Sequence, residues 1–206
     1  METLMIHHPS PMPPLRTSRW FNTPEPITLD SLRGRVVVVH AFQMLCPGCV
    51  AHGLPQAVRL REAFPEDQLA VIGLHTVFEH HEVMGAEALK AFIHEYRLSF
   101  PIGVDEADPN QPLPRTMATW KLQGTPSLVV LDRQGRLRLK HFGRLDDLPL
   151  GAMLGQLLEQ PIAPETFVDE DRDGAGTCTG GTCGALNPWQ GCRDKPFDLP
   201  AGRYLG

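Results

Sequence analysis

Residues 46 to 49 read Cys46-Pro47-Gly48-Cys49, a few residues after the apolar run Val36-Val37-Val38-Val39. Two cysteines with two residues between them can close a small disulfide ring, and the thiolate is the attacking form of a cysteine. After a strand and at the start of a helix, the first cysteine faces unpaired backbone N–H groups and the positive end of the helix dipole, which favour an anion. The chemistry this arrangement points to is thiol–disulfide exchange. Cys46 attacks a substrate disulfide, and Cys49, one turn further in and more buried, attacks Cys46 and releases the reduced substrate. Cys49 must lose a proton for that step. His52 lies three residues after Cys49 and can share its helix face. His40 falls on the strand beneath. Either titrates in the range where a base for Cys49 is useful. The alternatives are a hydrogen-bonded core histidine at 40, a solvated helix residue at 52, and a structural or metal-binding role for the cysteine pair. No second metal pair is obvious nearby.

The elements that must hold these groups follow from hydrophobic spacing. Residues 35–42 form a continuous apolar run, as expected of a strand buried on both faces. Residues 47–64 have helical spacing, with Val50, Leu54, Ala57, Val58 and Leu60 apolar. A second buried strand is predicted over 69–74. A helix is predicted over 86–96, with Leu89, Phe92, Ile93 and Tyr96 on one face. A short strand over 100–104 and a short helix over 115–122 follow. Strands over 127–131 and 136–142 flank the turn Asp132-Arg133-Gln134-Gly135, a hairpin signal, and a helix over 148–160 closes the series. This order predicts an α/β fold with a mixed central sheet and helices on both faces. Three regions emerge: a Pro-rich N-terminal arm (1–19), the α/β domain (20–160), and an irregular Cys-containing, Gly/Pro-rich C-terminal tail (161–206).

The chain has 206 residues, enough for one sizeable core with extra segments. Its formal net charge of −5 and its scattered Lys and Arg leave no footprint for nucleic acid. No apolar stretch approaches the roughly 18 residues of a spanning helix. Residues 1–15 lack the basic start and apolar run of a signal peptide. These features lead to the expectation of a cytoplasmic protein with neither nucleic acid nor membrane as partner. The five cysteines are Cys46, Cys49, Cys178, Cys183 and Cys192. In a reducing compartment they are reactive or metal-binding rather than structural.

The element order, with CPGC after the first buried strand and Gly124-Thr125-Pro126-Ser127 before the hairpin, resembles the thioredoxin-like fold. The entry segment Ile27-Thr28-Leu29-Asp30-Ser31-Leu32-Arg33-Gly34-Arg35 narrows the resemblance to the TlpA-type disulfide reductases and the related redoxin (AhpC/TSA) group, over about residues 20–160. The resemblance implies a cis peptide bond before Pro126, with the Thr125 backbone beside the Cys46 sulfur as a substrate-binding element. It also implies a protein or small-molecule disulfide as substrate and a reducing partner such as a thioredoxin reductase or glutathione system. No cofactor and no metal are implied.

The departures are equally specific. Leu45 stands where TlpA-type proteins carry Trp, His40 where thioredoxins have a buried Asp, and His52 where many TlpA relatives have Glu. One extra residue precedes Pro55, which predicts a local bulge or kink in the first helix. Gln43 occupies the place of the Thr or Ser that precedes a peroxiredoxin's reactive cysteine. A thiol-dependent peroxidase and a non-enzymatic redox sensor stand as the alternatives to a disulfide oxidoreductase. Four further features are read as peripheral. Glu79-His80-His81-Glu82 are adjacent loop residues that seldom converge on one ion, His75 is a strand-end histidine that can border the site, and Trp120 is expected in the core. Cys178, Cys183 and Cys192 are read as inert thiols, a second redox centre or an incomplete metal set.

Overall fold

The computed structural model describes residues 11–161. Strand β1 (Thr17–Phe21) is followed by a 3₁₀ turn (Asp30–Leu32) and β2 (Val36–Phe42). A π-helical turn (Cys49–Gly53) leads into α1 (Leu54–Ala63). Then come β3 (Leu69–His75), α2 (Ala86–Glu95), β4 (Ile102–Asp105), α3 (Arg115–Thr119), β5 (Ser127–Leu131), β6 (Leu137–Phe142) and α4 (Asp147–Glu159). The sheet has six strands in the order β1-β4-β3-β2-β5-β6. Strands β2, β3 and β4 run parallel to one another, while β1 against β4, β5 against β2 and β6 against β5 run antiparallel. This is the thioredoxin-like α/β architecture with its mixed sheet.

β2 sits in the middle of the sheet and every one of its residues is buried. That is why its sequence is a continuous apolar run rather than an alternation. Its odd and even positions serve two cores. Val36, Val38 and Phe42 pack with Leu54, Ala57 and Leu60 of α1, Leu89 and Ile93 of α2, and Leu150, Leu154 and Leu157 of α4. Val37, Val39 and Ala41 face Met117 of α3, Trp120, Leu122, Leu29 just before the 3₁₀ turn and Leu32 within it. His40 shares the face of Val38 and Phe42, among apolar groups.

Two boundaries differ from the sequence reading. The domain begins earlier than residue 20, because β1 starts at Thr17 and the segment before it is tied to the body. The Trp120 indole N–H donates to the Pro13 carbonyl at 2.9 Å, and the Arg16 backbone exchanges bonds with the Thr116 hydroxyl at 2.9 and 3.0 Å. Pro-rich composition suggested an arm, but proline is compatible with an edge segment that needs few backbone donors. The helix predicted over 47–64 is divided. In the π-helical turn the Leu54 N–H bonds to the Cys49 carbonyl, five residues back. Pro55 has no N–H to donate to an earlier turn, and the extra residue is absorbed as a wider turn. The bulge expected next to Gly53 is this turn. The tail (162–206), with Cys178, Cys183 and Cys192, lies outside the described residues.

Candidate active site

Cys46 and Cys49 stand at the C-terminal end of β2, on the turn that opens the π-helical segment, and both are free thiols. The turn is closed by the Cys46 N–H bonding to the Gln43 carbonyl at 3.2 Å, and by the Cys49 and Val50 N–H groups bonding to the Cys46 carbonyl at 3.1 Å. Cys46 is half-buried, whereas Cys49 is fully buried. The Cys49 N–H also points at the Cys46 Sγ, at 3.2 Å. A backbone donor aimed at sulfur stabilises the negative charge of an attacking thiolate.

Opposite the dithiol lies the loop before β5. The Thr125–Pro126 peptide bond is cis, and the Thr125 carbonyl is 3.5 Å from the Cys46 Sγ. Gly48 and Gly53 let the cysteine turn lie against this proline. A Cβ at Gly48 would stand 3.2 Å from the Pro126 Cδ, and one at Gly53 would stand 3.3 Å from the Pro126 Cβ. Leu45, directly before Cys46, is an exposed apolar side chain, and Phe142, also exposed, has its ring over Gly124 in the loop before β5.

Burial pushes the Cys49 thiol up to about 12, helped by its contact with Cys46 and opposed by hydrogen bonds from the Gln43 backbone and the Thr125 side chain. Burial pushes the His40 imidazole down to about 4, so the ring is neutral at neutral pH. Neither His40 ring nitrogen has a hydrogen-bond partner. The ring forms part of the wall of a cleft of about 230 Å³ whose other sides include His52, Gly53, Gln56, Pro126 and Asp147. His52 is exposed on that cleft. The structure thus brings Cys46, Cys49, Thr125 and Pro126 together, and places His40 and His52 along the adjoining cleft without a hydrogen bond to either sulfur.

Sequence reasoning did not place Gln43 in the site, although the residue is buried and bonded to its parts. A glutamine at the end of an apolar strand was the available signal. His75, by contrast, is enclosed in the core, its ring 5.3 Å from that of Phe42, and Trp120 is likewise a core residue. Glu79 accepts from the Gln43 amide. Among the described residues, no group of three or more His, Cys, Asp or Glu is arranged to hold a metal ion, and no helix is long and apolar enough to cross a membrane.

Comparison with known proteins agrees with the fold. A model of the AhpC/TSA family matches residues 15–140. A thioredoxin-like superfamily protein of known crystal structure is 54% identical, with a TM-score of 0.72 over 73% of this chain and 97% of that one. A thiol-disulfide isomerase from Corynebacterium glutamicum is 50% identical, with a TM-score of 0.71 over the same shares. Protein DipZ of Mycobacterium bovis is 31% identical over 144 residues, which are 68% of this chain but 19% of DipZ. The chain therefore spans about a fifth of the curated relatives it matches. The expectation of a cytoplasmic location does not stand: the relatives sharing this domain include membrane-anchored or extracytoplasmic thiol–disulfide proteins.

Proposed function

The chain belongs to the AhpC/TSA family, and on that premise we propose that it is a thiol–disulfide oxidoreductase whose redox dithiol is CPGC, with Cys46 as nucleophile and Cys49 as resolving thiol. The observation that carries this reading is the asymmetry of the pair. Cys46 is accessible, with a backbone N–H directed at its sulfur, while Cys49 is wholly buried three residues on. A substrate disulfide reaches Cys46 first. Its sulfur bonds to the Cys46 Sγ, and the other half leaves as a thiolate. Cys49 then loses its proton and attacks the Cys46 Sγ; the Cys46–Cys49 bond forms, the mixed disulfide breaks, and the electron pair leaves with the second substrate sulfur.

The Thr125 carbonyl and Pro126 form the substrate-binding edge, where an extended chain can lie beside Cys46. Leu45 and Phe142 give that edge an apolar rim, which suits a protein disulfide better than a small charged one. His40 and His52 line the adjoining cleft and stand as the candidate proton acceptors for Cys49. Burial holds the His40 imidazole down at about 4, which leaves it neutral but a weak base at neutral pH, so the exposed His52 is the better placed of the two. A reducing partner of the thioredoxin reductase or glutathione type regenerates the dithiol.

Cys49→Ser should leave stable mixed disulfides on Cys46, recoverable by mass spectrometry, while Cys46→Ser should leave none. If Cys46 and Cys49 never pair under mild oxidation, the reading fails. Thiol-dependent consumption of peroxide at rates exceeding disulfide exchange would favour a peroxidase instead.

A further inference from the structure

The wall of the cleft beside the dithiol includes a polar ring that the fold leaves unpaired. His40 is 2% exposed, and neither of its ring nitrogens has a partner. Burial keeps the ring neutral at neutral pH, so it offers one N–H donor and one bare nitrogen as acceptor. Leaving such a group unpaired is costly, and a ligand that bonds to it recovers that cost. The cleft it faces has a volume of about 230 Å³. Sites for drug-sized ligands run from about 300 to 1,000 Å³, so this one suits a single side chain. Charge at its mouth comes in matched pairs. The Arg59 Nη2 is 2.9 Å from the Asp147 Oδ2, and the Arg144 Nη2 is 3.2 Å from the Asp146 Oδ1. Gln56 donates to the same Asp147 carboxylate. These four charged side chains cancel, and the mouth does not select for an ion.

The cleft begins one residue along from the point where a substrate meets Cys46. The Thr125 carbonyl is 3.5 Å from the Cys46 Sγ, and Pro126, the next residue, lines the cleft together with Gly53 and Gly143. An extended chain advances about 3.3 Å per residue and sends successive side chains to opposite sides. A substrate lying along Thr125–Pro126 with its cysteine on Cys46 therefore carries a neighbouring side chain past the cleft mouth. We propose that this cleft is a specificity subsite for an uncharged amide side chain, Gln or Asn, borne by a protein substrate within two residues of its reactive cysteine, with His40 as the hydrogen-bonding partner of that amide. A primary amide supplies both an acceptor and a donor, the complement of a neutral imidazole. An aliphatic side chain leaves the ring unpaired, and a carboxylate or ammonium loses its hydration against an uncharged wall. The inference rests on the dithiol reading above and deepens it by naming the substrate class. The exchange itself is unchanged: Cys46 still makes the first attack and Cys49 still resolves.

Short alanine-based peptides test the subsite, each carrying one cysteine as a mixed disulfide with a coloured aryl thiol. The reduced protein attacks through Cys46: its Sγ bonds to the peptide sulfur, the bond to the aryl sulfur breaks, and the aryl thiolate leaves with the electron pair. Gln, Met and Glu are placed in turn at each position within two residues of the cysteine. Met matches Gln in length but lacks its donor and acceptor, and Glu adds a charge. At one of these positions Gln should react about tenfold faster than both Met and Glu, the effect of one buried polar group gaining its partner. Rates are compared between peptides on the same protein, so a change in the thiol itself cancels. His40→Phe should shrink the Gln preference to within about twofold. Ala51→Phe fills the cleft from an exposed position on its wall, outside the core. It should shrink the preference equally, while its reaction with a plain aryl disulfide, which has no side chain to seat, stays within about twofold of the unsubstituted protein. Absence of a Gln preference at every position, a lead for Met or Glu in its place, or a Gln preference that survives in either folded variant overturns the inference. A reduced, unsubstituted protein that does not react with the plain aryl disulfide overturns the dithiol reading and this inference with it.

Discussion

Cys46 and Cys49 have the same side chain three positions apart, yet their surroundings differ. Cys46 meets solvent and a backbone donor, while burial holds the Cys49 thiol near 12. Buried histidines carry the other residue-scale consequence. His40 and His75 lack hydrogen-bond partners, and burial lowers each from 6.5 to about 4. Below pH 6.5 the unfolded chain takes up protons that the folded imidazoles refuse, so stability is full above that pH and falls as pH drops toward 4. Each histidine should contribute about 3 kcal/mol to this loss. Urea unfolding at pH 7 and at pH 5 should show a lower midpoint in acid, and His75→Phe should make the difference smaller. A pH-independent midpoint over that interval would mean that both rings find proton-compatible surroundings.

At the scale of elements, the site depends on how the helix carrying Cys49 is fastened at its far side. Gln56 of α1 is buried and donates to the Leu145 carbonyl and to the Asp147 Oδ1, both at 2.8 Å. Arg59 bonds the same carboxylate, at 3.0 Å from its Nε. The Gln56 bond comes first, then the charge of Arg59, in holding the Asp147 carboxyl below its ordinary range. Asp147 opens α4, so its negative charge also faces the positive end of that helix. Gln56→Leu leaves the Leu145 carbonyl without its donor and separates α1 from the start of α4. It should cost about 1–3 kcal/mol in chemical denaturation. Arg59→Ala, at an exposed ion pair, should cost less than about 1 kcal/mol. The reverse ranking would move the fastening from the buried amide to the surface pair.

On the scale of the whole molecule, the sheet is completed by its N-terminal segment. β1 pairs with β4, and residues ahead of it bond to Trp120 and Thr116 near α3, on the face of the sheet opposite α1. At the end of β4 the buried Asp105 accepts from the Thr116 and Met117 N–H groups and from the Thr76 hydroxyl. This carboxylate joins β4, α3 and the end of β3. Removing residues 1–16 strips the Trp120 and Thr116 partners and the cover of Leu15. Thermal unfolding should then show a loss of about 2–4 kcal/mol, while the first step of disulfide exchange stays within a few-fold. An unaltered melting temperature would return this segment to the status of a loose arm.

How much of this was legible in the chain varies with the range of the contacts involved. The CPGC pair, the buried β2 run, the helix periodicities and the extra residue before Pro55 are local patterns, and local patterns are what steric and hydrophobic spacing write directly into sequence. They were sufficient for the thioredoxin-like fold and for the pair of thiols. β1 was missed because an edge strand shows only half of the apolar alternation and its pairing with β4 is some 80 residues distant in sequence. Gln43 was missed as part of the site because a glutamine at the end of an apolar strand does not say which loops converge on it. Likewise the burial that pushes the Cys49 thiol up, and that leaves His40 neutral beside the cleft, comes from α1, α4 and the loop before β5 packing together. Sequence by itself determined which chemical groups are present and which elements carry them. Their distances, dielectric surroundings and hydrogen-bond partners were decided only by the tertiary structure, because each depends on atoms contributed by segments far apart along the chain.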